Sequence, residues 1–364
     1  MTKKIAKISV LIAIAGIIIW GVYYFLGSNP TTQSIIGNVF PGSEKGSSEN
    51  ASQSGLEIKS APISSNSAIF DYWINKENGD IYLINEAGQI LKESSGNNEE
   101  LVNSQTLNKL NSIAPSYNGL FAIAKFNYPF STIFSIFNTV TSAWSPLPSG
   151  TLAAAWSPNS SKIAYIDKTS LKILDLNSQK TQEILKLTQK DIELHWQTES
   201  RLLLSTASGS SVVIYAIDLN KKTITPFLEE NGLKIHWADN GEFGVKLNYT
   251  ISQQTASLID SDGSTLTEFT FKTLPEKCFA GGTLRVLYCA IPKNIPLGLN
   301  TINDYYKKAL YFDDAIYFID LKTGAFSEVT ANLDSAIDAT HLEVFSEKLY
   351  FKNRIDNKLY SVQL

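Results

Sequence analysis

The sequence is poor in the residues that most often build metal or cofactor sites. It has only three histidines, two cysteines and one methionine in 364 residues. His195, His236 and His341 form no His-Glu-x-x-His motif and no spaced cluster with carboxylates, so we predict no metal site and no cofactor. His195 and His236 each precede a tryptophan, and we expect that position to be buried between structural units.

Basic charge is also scarce. Lysine and arginine number 31 against 35 acidic residues, a net charge of -4 that argues against nucleic acid as a partner.

The sequence also lacks the Gly-x-Ser-x-Gly elbow of α/β-hydrolases. The serine-rich stretch 205–213 has a different spacing and no histidine partner in its pattern, which argues against a serine hydrolase.

One long apolar run is present, at the amino terminus. Lysines in residues 1–7 precede twenty uncharged residues, Ile8–Gly27, which would form a helix about 30 Å long, as thick as a bilayer core. The positive-inside rule places 1–7 in the cytoplasm and the remainder outside, periplasmic or extracellular. We therefore predict a transmembrane signal anchor at 8–27; the alternative, a cleaved signal peptide, would have a shorter apolar region and a small-residue cleavage site.

The next segment, 28–61, is rich in Ser, Gly, Asn, Thr and Pro. Such a composition buries too little apolar surface to fold, so we predict a flexible linker. The folded domain is predicted over 62–364.

Two markers repeat along this domain at a nearly constant spacing. A tryptophan that closes a short apolar run recurs after 40 and 41 residues, at Trp156, Trp196 and Trp237. An aspartate recurs in step with it, after 43, 42 and 60 residues, at Asp175, Asp218, Asp260 and Asp320. Because these positions belong to the repeat, we predict structural roles for them.

A period of 40–45 residues with four short β-rich runs is typical of a β-propeller blade. We predict an all-β domain with seven blades, or six if the first unit and the carboxy-terminal strands form one composite blade. The last unit has only three strands, and we expect SGLEIKS at 54–60 to complete it.

The best copy of the repeat also carries a family resemblance. AAAWSPNSSKIAYID at 153–167, followed by LKILDLNSQKTQEIL, resembles the WD40-like PD40 repeat of TolB-type propellers. The same blade pattern is found in propeller domains of prolyl-oligopeptidase-like peptidases. The resemblance implies a propeller over nearly all of 62–364 but implies little about function, because propellers host many activities. No α/β-hydrolase domain follows the repeats, so we expect no peptidase.

One unit is longer than the others, between its second and third strands at 291–315. Aromatic and charged side chains on loops are typical of interface anchors, so this insertion predicts a binding surface. The candidate binding residues there are Tyr305, Tyr306, Lys307, Lys308, Asp313 and Asp314, and the loop KFNYPFST at 125–132 adds Tyr128 and Phe130. The alternative is that the insertion only packs on its blade.

Two further local features concern covalent and metal chemistry. Cys278 and Cys289 flank a predicted hairpin, which would place them opposite each other as a candidate disulfide; the alternative is two buried thiols. The stretch DSDGSTLTE at 260–268 has too few ligands for a calcium loop and is predicted to be a hairpin.

Taken together, these features predict a non-catalytic, membrane-anchored propeller outside the cytoplasm, which binds a protein or cell-envelope ligand. The alternative is a cell-envelope hydrolase or lyase that uses the propeller channel. That enzyme would need polar residues converging at the innermost strands, and the sequence shows no recurrent set of them.

Overall fold

The computed structural model describes residues 68–94, 98–128, 131–189, 191–208, 211–250, 254–281, 286–294, 301–330 and 336–364. The predicted anchor at 8–27, the linker at 28–61 and the closing strand at 54–60 lie outside these residues. Within the described part of the chain, no helix has both the length and the apolar character needed to cross a membrane.

The described residues form seven antiparallel sheets, each built from strands that are consecutive in the chain. Six sheets have four strands and the last has three. This is a seven-bladed β-propeller, so the fold implied by the TolB-type resemblance is confirmed and the six-bladed alternative is wrong.

The strands follow in chain order. Blades 1 to 3 contain β1 (Ile69–Ile74), β2 (Ile81–Asn85), β3 (Ile90–Ser94), β4 (Asn98–Asn103), β5 (Leu110–Pro115), β6 (Phe121–Phe126), β7 (Ile133–Asn138), β8 (Ala143–Pro146), β9 (Ala153–Trp156), β10 (Lys162–Ile166), β11 (Ser170–Asp175) and β12 (Thr181–Lys186). Blades 4 and 5 contain β13 (Ile192–Thr198), β14 (Arg201–Ser208), β15 (Ser211–Asp218), β16 (Thr223–Asn231), β17 (Leu233–Trp237), β18 (Phe243–Tyr249), β19 (Gln254–Asp260) and β20 (Thr265–Glu268). Blades 6 and 7 contain β21 (Cys278–Gly281), β22 (Val286–Pro292), β23 (Asp314–Asp320), β24 (Phe326–Glu328), β25 (Ala339–Phe345), β26 (Lys348–Asn353) and β27 (Lys358–Gln363).

Within a blade, burial falls from the second strand to the outermost one. In blade 3, four consecutive residues of β10, Ile163 to Ile166, are buried, because both faces of that strand pack on neighbouring blades. The outer strand β12 buries only Ile184 and exposes most of its polar residues. The core is therefore a set of apolar clusters lying between blades.

The repeat tryptophans lie in these clusters. Trp156 is buried, donates from Nε1 to the carbonyl oxygen of Ala114 in blade 2 at 2.8 Å, and stacks on Phe121 with centroids 5.9 Å apart. Trp196 and Trp237 are buried as well. Each tryptophan closes the gap between adjacent blades.

The repeat aspartates stabilise the turn between the third and fourth strands. Asp175 Oδ1 accepts backbone N–H groups from Asn177 and Ser178 at 3.1 and 2.8 Å. Backbone N–H groups bind the side chains of Asp218, Asp260 and Asp320 in the same way. These bonds to the charged carboxylate lower the pKa of Asp175 and Asp320 and explain why the position repeats. The stretch 260–268 is the hairpin that its sequence predicts.

The turns after the innermost strands interlock with their neighbours. Gly119, at φ +72°, lies so close to Ile74 that an added Cβ would be 1.9 Å from its carbonyl oxygen. Gly241, at φ +67°, approaches the carbonyl oxygen of Gln197 in the same way, at 2.2 Å. Only glycine combines this backbone conformation with so close an approach, so these two turns pack blade 2 on blade 1 and blade 5 on blade 4 at one end of the propeller.

The insertion of blade 6 contains a short helix, α1 (Thr301–Tyr306), between β22 and β23. Thr301, Ile302 and Tyr305 are its buried residues. Ile302 and Tyr305 pack with Leu247 of blade 5 and Leu274, which ties the insertion to the neighbouring blade.

Candidate functional site

The innermost strands of the blades surround a central channel of about 1940 Å³. One end, called the mouth here, is lined by loops that enter the innermost strands or join the second and third strands, including Thr151, Lys168 and Thr250. The other end, called the floor, lies at the turns that follow the innermost strands, including Tyr117 and Asp239.

All three histidines line this channel, on three different blades: His195 on β13, His236 on β17 and His341 on β25. The predicted burial between blades is wrong for His236, which is accessible from the channel. An innermost strand has no neighbouring strand on its axial side, so a polar side chain near the axis can reach channel water. His195 packs flat on Trp237 of the next blade, with ring centroids 6.2 Å apart.

His341 is held by a carboxylate from the adjacent blade. Its Nδ1 lies 2.5 Å from Asp71 Oδ1 on β1, and the Tyr72 hydroxyl donates to its backbone oxygen at 2.7 Å. Burial lowers the pKa of His341, but the negative charges of Asp71 and Glu343 outweigh burial and raise it overall. His341 therefore keeps its proton to a higher pH than a free histidine.

The other two histidines are shifted in the opposite direction. Enclosure by the ring lowers the pKa of His236, although Glu276 and Asp239 oppose this shift. Burial and the neighbouring His236 lower the pKa of His195 to about 4. Both therefore lose their protons at a lower pH than His341 does.

An ion-pair network crosses the floor. Lys76, in the turn after β1, places Nζ 3.0 Å from Asp239 Oδ2 of blade 5 and 3.6 Å from Glu343 Oε1 of blade 7. Burial raises the pKa of the Glu343 carboxyl, and the Lys76 charge opposes that shift. Residues from opposite sides of the ring thus meet at one end of the channel.

Two predicted binding residues of the insertion are buried, so they cannot contact a partner at the surface. Asp314 Oδ2 pairs with Lys277 Nζ at 2.6 Å, and the Tyr305 hydroxyl donates to Asp338 Oδ1 at 3.2 Å. Arg354 stacks over the Tyr305 ring at 3.7 Å and pairs with Asp338 at 2.9 Å. The insertion therefore packs on blades 6 and 7, which corrects the prediction for Tyr305 and Asp314.

The other predicted binding residues lie at the surface on two separate blades. Tyr306, Lys307 and Lys308 are exposed on or just after α1, and Asp313 pairs with Lys293 at 3.2 Å. Tyr128 is exposed on blade 2, with Lys125 Nζ 4.8 Å from its ring centroid. Phe130 lies outside the described residues.

Cys278 and Cys289 face each other across β21 and β22 and form a disulfide in this structure. The bond is fully buried between blades 5 and 6, among apolar side chains of β18 and β23. The disulfide is therefore a covalent link within one blade, between its innermost strand and its second strand.

Comparison with known proteins gives a likeness of fold. No family model and no curated protein matches the chain. Among solved structures, a tricorn protease matches with a TM-score of 0.51 and 12% identity, over 86% of this chain and 34% of that one. An oligogalacturonate lyase in complex with manganese matches with a TM-score of 0.54 and 10% identity, over 84% of this chain and 93% of that one. A prolyl endopeptidase matches with a TM-score of 0.51 and 11% identity, over 83% of this chain and 51% of that one.

These comparisons correct the prediction of a non-catalytic scaffold. The three matching propellers belong to a protease, a lyase and a peptidase, and the polar residues that the enzymatic alternative requires do converge in the channel. At 10–12% identity the likeness shows the fold alone. The chain spans about a third of the tricorn protease, so that protein's activity is not transferred.

The manganese of the lyase complex raises the question of a metal site. Among the described residues of this chain, no group of three or more His, Cys, Asp or Glu side chains is placed to hold a metal ion. The donor set therefore does not fit such a site, and we derive no step through a metal.

Proposed function

We propose that this protein is an enzyme, a lyase or hydrolase that uses general acid–base catalysis inside the propeller channel. The observation that carries the proposal is the pair His236 and His341, which line one channel and have pKa values displaced in opposite directions. Oppositely tuned groups in one site divide naturally into a base and an acid.

The neutral His236 serves as the base and the charged His341 as the acid. In an elimination, His236 takes a proton from the carbon next to a carboxylate. The electron pair of that bond forms a carbon–carbon double bond, the bond to the leaving oxygen breaks, and His341 gives its proton to that oxygen. Asp71 is a positioning residue, because it orients His341 and stabilises its charge.

A lyase is favoured over a hydrolase by the extent of the structural matches. The match covers 93% of the oligogalacturonate lyase but 34% and 51% of the two peptidases. A propeller of this extent therefore makes up nearly all of that lyase, whereas the peptidases contain large additional parts. Elimination from a uronate-containing saccharide is accordingly the first reaction to test.

The test uses the full-length chain in detergent micelles, with oligogalacturonate as the probe and ultraviolet absorbance of the unsaturated product as the readout. His236→Gln and His341→Gln should each lower kcat by roughly 100- to 10,000-fold. Lys221→Ala, which removes an exposed ion pair on the outer edge of blade 4, is the matched control and should match the wild type.

The pH profile gives a second readout. Activity should rise as His236 loses its proton below the ordinary histidine pKa of about 6.5, and fall as His341 loses its proton above it. A profile without a maximum, or full activity in His236→Gln, would contradict the assignment. If oligogalacturonate is inert, a panel of esters and peptides tests the hydrolase alternative with the same variants.

We also propose that residues 8–27 anchor the propeller outside the cytoplasmic membrane. The support is the twenty-residue apolar run preceded by lysines, together with a disulfide suited to an oxidising compartment. Alkaline carbonate should leave the full-length protein in the membrane pellet, and protease added to spheroplasts should digest the propeller. Release by carbonate or complete protection from protease would contradict the proposal.

A further inference from the structure

We infer that the Lys76 bridge closes the floor of the channel, so that the channel accepts only the free end of a polymeric substrate. This inference rests on the proposed function, because it assigns the reacting groups to the channel. It adds the mode of attack: cleavage proceeds from a chain end and excludes internal bonds.

The bridge spans almost the full width of the ring. Lys76 belongs to blade 1 and Asp239 to blade 5, which are three blades apart in a ring of seven and hence nearly opposite. Glu343 from blade 7 meets the same ammonium group at 3.6 Å. Burial of Lys76 lowers its pKa, but the two carboxylates outweigh burial and raise the pKa overall, so the lysine stays charged.

The backbone around the bridge is held in place by neighbouring turns. The Lys76 backbone N–H donates to the Asn118 carbonyl oxygen of blade 2 at 2.9 Å, and the Asn118 N–H donates to Ser160 Oγ of blade 3 at 3.1 Å. Gly119 packs directly on the carbonyl oxygen of Ile74, two residues before Lys76. Tyr117 lines the channel beside this turn, and its pKa is raised by burial and by Asp239. The Lys76 turn therefore has little freedom to swing away.

The reacting groups lie close to this floor. His236 is three residues before Asp239 on the same strand and turn, and His341 is two residues before Glu343 on β25. A chain that enters from the mouth and reaches His236 therefore meets the bridge directly beyond it. Because the chain cannot pass through, the reacting bond must lie within a few units of its end.

The experiment compares wild type, Lys76→Ala and the control Lys221→Ala on polygalacturonate. Product release and solution viscosity are followed together. Wild type and Lys221→Ala should release short products while viscosity stays nearly constant, and Lys76→Ala should lower the viscosity several-fold more for the same number of bonds cleaved. An early fall in viscosity with wild type would overturn the inference and leave the proposed function intact.

A second measurement does not depend on turnover. The double variant Lys76→Cys/Asp239→Cys is treated with a short bis-maleimide, and the cross-linked peptide is sought by mass spectrometry. Cross-linking in high yield, with none in Lys221→Cys/Asp239→Cys, supports the closed floor. No cross-link in the first pair overturns it. If wild type does not attack polygalacturonate, the substrate assignment fails and the cross-link alone decides on the floor.

Discussion

Replacing Lys277 with methionine should strongly destabilise the junction between blades 6 and 7. Lys277 is fully buried and its Nζ contacts Asp314 Oδ2 and Asp338 Oδ1, each at 2.6 Å, and the Ala339 carbonyl oxygen at 2.9 Å. Methionine keeps most of the side-chain volume and removes the charge, so the variant isolates electrostatics from packing.

The expected loss follows from the local charge balance. Lys277 and Arg354 neutralise Asp314 and Asp338, so the variant leaves one buried negative charge without compensation. Removing one partner of a buried pair costs about 3–5 kcal/mol. At roughly 2 °C per kcal/mol for a domain of this size, Tm should fall by about 6–10 °C.

The loss of stability in Lys277→Met should be larger at high pH than at low pH. Burial already raises the pKa of Asp314 to about 6, against the opposing Lys277 charge, and removing that charge raises it further. Protonation of Asp314 then relieves the excess negative charge, so the loss is smaller at pH 5 than at pH 8.

Thermal melts of the full-length protein by circular dichroism at both pH values provide the assay. The double variant Lys277→Met/Asp314→Asn restores charge balance and should recover part of the lost stability at pH 8. The reasoning is refuted if Lys277→Met melts within 1–2 °C of wild type at pH 8, or if the double variant melts no higher than the single one.

Three further predictions concern stability. Trp156→Phe should lower the free energy of unfolding in denaturant by about 1–2 kcal/mol, because it leaves the Ala114 carbonyl oxygen without its donor. Trp196→Phe should lower it less, because the buried Trp196 Nε1 has no partner among the described residues. Equal losses in the two variants would contradict this prediction. His195 has a pKa of about 4 in the folded protein and about 6.5 in the unfolded chain, so the free energy of unfolding falls as the pH drops from 6.5 to 4. His195→Phe should make this fall smaller by about 3 kcal/mol. An identical pH dependence of chemical denaturation in both proteins would contradict the prediction. Reducing the disulfide, with a sequence separation of 11, should lower the free energy of unfolding by about 3 kcal/mol, and two free thiols in the unreduced, unfolded protein would exclude the bond.

The blade architecture could be predicted from sequence because its determinants are local. Asp175 binds N–H groups two and three residues away, so the same turn needs an aspartate at the same place in each blade. Trp156 recurs for a similar reason, since every pair of adjacent blades has a similar gap to fill. Both constraints leave a period that is visible without a structure.

The channel site could not be predicted in the same way. Asp71 and His341 are 270 residues apart, and Lys76 and Asp239 are 163 apart, so only the closed ring brings them together. One signal was available: His195 and His236 occupy the same position of adjacent repeats, and equivalent positions on innermost strands converge on the axis. The position of both histidines beside the repeat tryptophans instead predicts burial between blades.

The burial of Tyr305 and Asp314 in the insertion could not be predicted, because their partners are distant in sequence. Tyr305 begins and Asp314 ends the stretch YYKKALYFDD, whose tyrosines and lysines are typical of a surface loop. Their hydrogen-bond partners, Asp338 and Lys277, lie 33 and 37 residues away and are themselves buried. A polar segment with oppositely charged partners elsewhere in the fold can be a buried junction.

The aspartate turns also have a consequence for how the ring assembles. Each one joins two strands that are adjacent in the chain and satisfies its own backbone groups, so a hairpin can form as soon as its residues leave the ribosome. Hairpins of this kind have short loops and low closure entropy. Folding of successive blades can then follow synthesis from the amino-terminal side, and the slow, entropically costly event is the meeting of blade 1 with blade 7, where Ile69 and Asn357 share a backbone hydrogen bond.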